Sequence, residues 1–194
     1  MKKVMLLIAI VLFIGCKEEK SKKTETVQEH EMPAAAKETK KKKKVLSPHT
    51  ETMAMVGDAH IHIDYSSPGV RERIIFGGLL PNNKVWQAGA HKATWIETNK
   101  DLTIQGKLLK AGKYGFFVIP STEEWTLILN TNWDQHGKDD YDEKEDVMRF
   151  SVQPIILEDT IEHLEYKITK TAMNEGEISM AWEKVKVSFA FRVN

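Results

Sequence analysis

Ala59-His60-Ile61-His62-Ile63-Asp64-Tyr65 alternates without a break. Successive side chains of a β-strand point to opposite faces. Ile61, Ile63 and Tyr65 therefore share one face, and His60, His62 and Asp64 share the other. One dry face and one wet face is the signature of a half-buried strand in an antiparallel sheet. Ser66-Ser67-Pro68-Gly69 supplies turn chemistry directly after it.

The same reading extends down the chain. Residues 93–98 set Trp95 and Glu97 opposite Thr94 and Ile96. Leu102-Thr103-Ile104 meets the short turn Gln105-Gly106-Lys107, followed by Leu108 and Leu109. Residues 113–119 are stopped by Pro120, residues 125–130 follow, and residues 147–153 end at Pro154. Residues 162–170 alternate through Leu164, Tyr166 and Ile168. Asn174-Glu175-Gly176 leads into residues 178–182, and Glu183-Lys184 turns into the alternating Val185, Val187, Phe189 and Phe191. About eight to ten short strands separated by turn residues predict an all-β fold, a single antiparallel β-sandwich of jelly-roll-like form. No long window has a helical period; one helical turn is expected near residues 155–161.

Three segments divide the chain. Residues 1–15 read as a lipoprotein signal peptide: Lys2 and Lys3 precede an uncharged run, residues 4–14, that is too short to span a bilayer. Gly15-Cys16 resembles a bacterial lipobox, which makes Cys16 the lipidation site. Cys16 is the one cysteine, so no disulfide forms within the chain. Two or more acyl chains give a stable membrane anchor. Lys17-Glu18-Glu19 resembles a surface-export signal of Gram-negative lipoproteins. The expected location is the bacterial outer membrane, on its periplasmic face or at the cell surface. Residues 16–52 are rich in Lys, Glu, Thr and Ala and are expected to form a disordered tether. Its run Lys40-Lys41-Lys42-Lys43-Lys44 reads as a solvated linker or a contact for anionic headgroups. Residues 53–194 remain for one β-sandwich domain. There the acids outnumber the bases, 21 to 16, although the whole chain balances at 28 each. An acidic folded part argues against nucleic acid as a partner.

Several motifs of the folded part resemble one family. Asp64-Tyr65-Ser66-Ser67-Pro68, Ile75-Phe76-Gly77-Gly78, Val85-Trp86 with Gly89-Ala90-His91, Ala111-Gly112-Lys113-Tyr114 and Asn132-Trp133-Asp134-Gln135-His136 occur in that order. Together they resemble an uncharacterised family of bacterial exported proteins, the domain-of-unknown-function family numbered 2911. The resemblance implies an exported β-rich domain and carries no assigned activity. Ser67, Glu72, Gln87 and His91 stand where many relatives carry Arg, Gly, Arg and Asn.

Two constellations could carry function. His62 and Asp64 share a strand face, and side chains two apart on a strand stand about 7 Å apart along it, close enough to serve one ion. His91, in a Gly-Ala turn, and His136, in the Trp133 segment, are the candidates to complete the set. Imidazoles with a carboxylate suit zinc, copper or iron. The other constellation is Trp133 with Asn132, Asp134 and Gln135, an aromatic face rimmed by hydrogen-bonding groups, as sugar rings require. The acids between Asp134 and Asp146 lack the glycine and closing glutamate of an EF-hand and read as an exposed loop. There is no phosphate-cradling loop and no Gly-X-Ser-X-Gly elbow. Ser66 or Ser67 with a histidine and Asp64 has no triad spacing to support it. The sequence therefore points first to a lipid-anchored module binding a glycan or an envelope protein. The alternatives are a metal-binding protein or metal-dependent hydrolase, and a structural subunit of an envelope complex.

Overall fold

The structure is a computed structural model that describes residues 45–194. The leader, Cys16 and the five-lysine run lie outside the described residues. The strands are β1 (His49–Val56), β2 (Ala59–Ser66), β3 (Thr94–Thr98), β4 (Leu102–Ile104) and β5 (Lys107–Leu109), followed by β6 (Gly112–Ile119), β7 (Trp125–Asn130), β8 (Asp146–Val152), β9 (Ile155–Ala172) and β10 (Glu175–Val193). The helical element among the described residues is a single 3-10 turn, Glu143–Glu145.

Two antiparallel sheets form the expected sandwich, ordered β1-β2-β3-β6-β7-β8 and β5-β4-β10-β9. The larger sheet is a meander interrupted once, where the chain crosses over to make the β4–β5 hairpin and returns at β6. This order refines the jelly-roll-like expectation, because a jelly roll is built from two Greek keys. Alternation fills the space between the sheets. Ile61, Ile63, Ile96, Phe116, Leu127 and Phe150 come from one inner face, and Leu102, Ile104, Tyr166, Ile178, Trp182 and Phe189 from the other; all are buried in one cluster. Each such side chain is worth about 1.5–3 kcal/mol of transfer free energy. The outer face of the larger sheet carries a smaller cluster, Ala93, Phe117 and Ile128, with Tyr141 packed against it. At the β1–β2 end that face stays open, with Met53 and Met55 about half exposed.

Two departures from the sequence reading have physical reasons. First, β1 begins at His49, inside the stretch read as tether. Gly57 and Asp58 form a two-residue hairpin turn between Val56 and Ala59, and Gly57 takes the positive φ, 59°, that such a turn needs. The turn zips β1 onto β2 as far as His49 opposite Ser66. Second, residues 155–161 are strand and not a helical turn, because Ile155 and Ile156 pair with Lys186 and Val185. As the sequence reading expects, β10 doubles back. A straight strand of its 19 residues would span about 60 Å. Yet Val193 N donates to Asn174 O at 2.8 Å, and Ser188 Oγ donates to Glu177 at 3.2 Å. The reversal is at Glu183, φ 57°, where the sequence places a Glu183-Lys184 turn.

Candidate functional site

The β1–β2 hairpin register sets Glu51 opposite Asp64 and Met53 opposite His62. On the other side of β2, β3 sets Glu97 opposite His62 and Trp95 opposite Asp64. Directly opposed residues share a face, so the face that holds His60, His62 and Asp64 also receives His49, Glu51 and Trp95. His62 Nε2 lies 2.9 Å from Glu51 Oε2, and His49 Nε2 lies 2.7 Å from Asp64 Oδ2. The His62 ring meets the edge of Trp95 at 4.8 Å between centroids, which fixes its plane. His62 and Asp64 side chains are about one-fifth exposed, Glu51 about half. Glu51, His62 and Asp64 each offer one ligand atom, and these atoms all lie within 4.8 Å of one another.

Of the ligand set expected from sequence, His62 and Asp64 come together, and Glu51 joins them. His91 and His136 are not in that group. They neighbour each other instead: Lys92 bridges to His136, and Gly137 N donates to His91 O at 2.7 Å. Both are exposed. His49 and Glu51 were missed by sequence reasoning. The available signal was the Gly57-Asp58 turn, which, read as a hairpin, carries the strand back to residue 49 and fixes Glu51 beside Asp64.

The Trp133 segment is knitted into the fold. Asn132 N donates to Asn130 Oδ1 at 2.8 Å, and Asn132 Nδ2 to Asp140 O at 3.2 Å. Gln135 is buried and donates from Nε2 to Asn132 O at 2.8 Å. Asp134 pairs with Lys92 at 3.1 Å. Trp133 is half-buried; the Lys113 ammonium lies 4.0 Å from its ring centroid and 3.4 Å from that of Trp95. The acidic loop after it has local duties. Asp142 caps the 3-10 turn, and Asp146 accepts from Asn130 and Tyr141 and forms an ion pair with Arg149. Burial, and then the bond to Asp146, push the Tyr141 phenol far above its ordinary value. Ser67 Oγ donates to Leu164 O at 2.7 Å and ties β2 to β9, a structural use.

Residues 47–191 match the family described as protein of unknown function, DUF2911, and the chain belongs to that family. No curated protein and no solved structure matches it.

Proposed function

We propose, with that family membership as premise, that the chain is a metal-binding protein of the cell envelope whose ion sits on the β1–β2 hairpin. The observation that carries this is the convergence of Glu51, His62 and Asp64 ligand atoms within 4.8 Å. An imidazole with two carboxylates is a donor set for zinc or ferrous iron. Tetrahedral zinc bonds its ligands at about 2.0–2.2 Å, which sets ligand atoms roughly 3.4 Å apart. The three side chains must therefore draw in by about 1 Å, a rotamer adjustment that a partly open sheet face allows. Three protein ligands leave a fourth position for water or substrate, and His49, bonded to Asp64 at 2.7 Å, is a further imidazole beside the group. Its bond to Asp64 also orients one carboxylate, as histidine–carboxylate partners of metal ligands do.

The test is elemental analysis of the full chain after back-loading with zinc and dialysis without chelator. One ion per chain is expected, and Glu51→Gln and His62→Asn should each lose it. Chains that hold no metal after back-loading would overturn the reading.

The envelope location rests on the leader and Cys16 in the sequence. On this reading the lipid holds the protein at the outer membrane. Cys16→Ala should move it from the membrane fraction to the soluble fraction; continued sedimentation with membranes would count against lipidation.

A further inference from the structure

The long connection between β2 and β3 folds over β10 and leaves a cleft of about 310 Å³. Its apolar side is Leu79, Leu80 and the edges of Trp86 and Trp182, which stack at 5.8 Å and 26°. Its polar side is Arg71, Arg73, Gln87 and His91, and no carboxylate lines it. That is unexpected in a folded part where acids outnumber bases. Arg149, by contrast, meets the acids Glu143 and Asp146. Arg71 and Arg73 form no ion pair among the described residues. Arg73 is held by backbone carbonyls, Nε to Val70 O at 3.0 Å and Nη2 to Gly69 O at 2.6 Å. That fixes the guanidinium plane and leaves Nη1 unspent. A pre-oriented guanidinium matches a carboxylate in geometry as well as charge.

The backbone around the cleft is strained. Arg71, Glu72, Ala88 and His91 have φ of 50°, 60°, 54° and 62°, in the left-handed region that costs a side-chain-bearing residue of order 1 kcal/mol. Such strain persists where surrounding structure enforces it, and it gathers at binding sites. Trp182, 2% exposed, is one of the lining residues and has a buried indole N–H without a partner.

We infer that this cleft binds a small organic anion, its carboxylate held by Arg71 and Arg73 and its flat apolar body against Leu79, Leu80 and the tryptophan edges. The volume is at the low end for ligand pockets, which limits the ligand to about one ring plus its acid group. The cleft shares no residue with Glu51, His62 and Asp64, so either site stands if the other fails.

The test uses the full chain labelled with ¹⁵N. Its five tryptophans give five indole N–H signals, assigned by Trp182→Phe and Trp86→Phe. Phenylacetate is the probe, with neutral phenylacetamide and inorganic phosphate as controls. Phenylacetate should shift the Trp86 and Trp182 signals saturably, and phenylacetamide should not. Arg71→Gln should weaken phenylacetate by about tenfold or more, the effect of losing one charge-assisted hydrogen bond. Arg71→Lys, which keeps the charge but not the fork, should fall between. Unshifted Trp signals in ligand-free Arg71→Gln show that the cleft is intact. No saturation at millimolar phenylacetate would overturn the proposal. So would equal binding of phenylacetamide, or phosphate binding as tightly with the same shifts.

Discussion

Replacing Lys113 with methionine tests whether Trp133 is an anchored part of the sheet surface. The Lys113 ammonium sits 3.4 Å from the Trp95 centroid and 4.0 Å from the Trp133 centroid, and the two rings are 6.4 Å apart at 71°. A cation over an aromatic face contributes about 0.5–1 kcal/mol when exposed and about 2 when desolvated. A half-buried ammonium shared by two rings is worth about 1.5–2 kcal/mol on that scale. Methionine keeps the length and the apolar stem, and its sulfur recovers about 0.3–1.5 kcal/mol against the rings. The net loss is about 1 kcal/mol, a fall of roughly 2–4 °C in Tm for a domain of this size. Urea unfolding followed by tryptophan fluorescence should show a lower midpoint with an unchanged slope. The decisive comparison is Lys113→Met in a Trp133→Ala background, where the loss should shrink because one ring is gone. An unchanged midpoint, or the same loss with and without Trp133, would refute the reasoning.

Zinc should raise the Tm of the wild type but not of His62→Asn; at a concentration a hundred times Kd the gain is about 2.7 kcal/mol. The gain should fade as pH is lowered, since protons compete for the same ligand atoms, and differential scanning fluorimetry checks both. Tyr166 is fully buried, and burial raises its phenol well above the ordinary value. The folded state then keeps a proton that the unfolded chain releases above about pH 10, so stability is full below that pH and falls as pH rises past it. Tyr166→Phe should flatten that alkaline fall in urea titrations. At neutral pH it should cost about 0.5–1.5 kcal/mol, the worth of the bond that the Tyr166 hydroxyl donates to Ala88 O at 2.6 Å, since Ala88 O keeps the hydroxyl of Thr94 at 2.9 Å. Gly176→Ala would set a Cβ 2.5 Å from Phe191 Cζ and 3.1 Å from Thr169 O. The buried Phe191 ring must move, a loss of about 1–3 kcal/mol read by urea midpoint.

The strength of each local contrast decided how legible the fold was. β2 is readable because Ile61, Ile63 and Tyr65 are buried while His60, His62 and Asp64 are only partly so. β1 is an edge strand whose seven leading residues are all exposed or only partly buried, so its sequence carries no apolar stripe to read. That is why the sequence reading starts the domain at residue 53 and leaves out His49 and Glu51. Residues 155–161 were ambiguous for a related reason: Ile155 and Ile156 are adjacent and both exposed, which breaks the period of two. The Glu183-Lys184 turn was visible because strong alternation flanks it on both sides. Half of the expected ligand set, His62 and Asp64, followed from one strand's alternation. The placing of His91 and His136 depended on how two loops meet, which spacing does not encode. The cleft holding Arg71 and Arg73 depends on the β2–β3 connection lying over β10, a long-range contact of the same kind.

β1 is the edge of its sheet and the first strand among the described residues, and a pull from its N-terminal side meets the bond from Ser67 N to Pro48 O, 2.8 Å, just before His49. The geometry of loading follows from the hairpin. His49 is at its open end and the Gly57-Asp58 turn at its closed end, so force directed across the strand parts the pairs one after another, as in a zipper. A pull along the strand axis would instead load all eight residues of the strand together. The His49–Asp64 and Glu51–His62 bonds are the first side-chain links in line. An ion shared by Glu51, His62 and Asp64 would work as a rivet near the mouth of the zipper, and the force needed to peel the domain open would then report on metal in the surroundings.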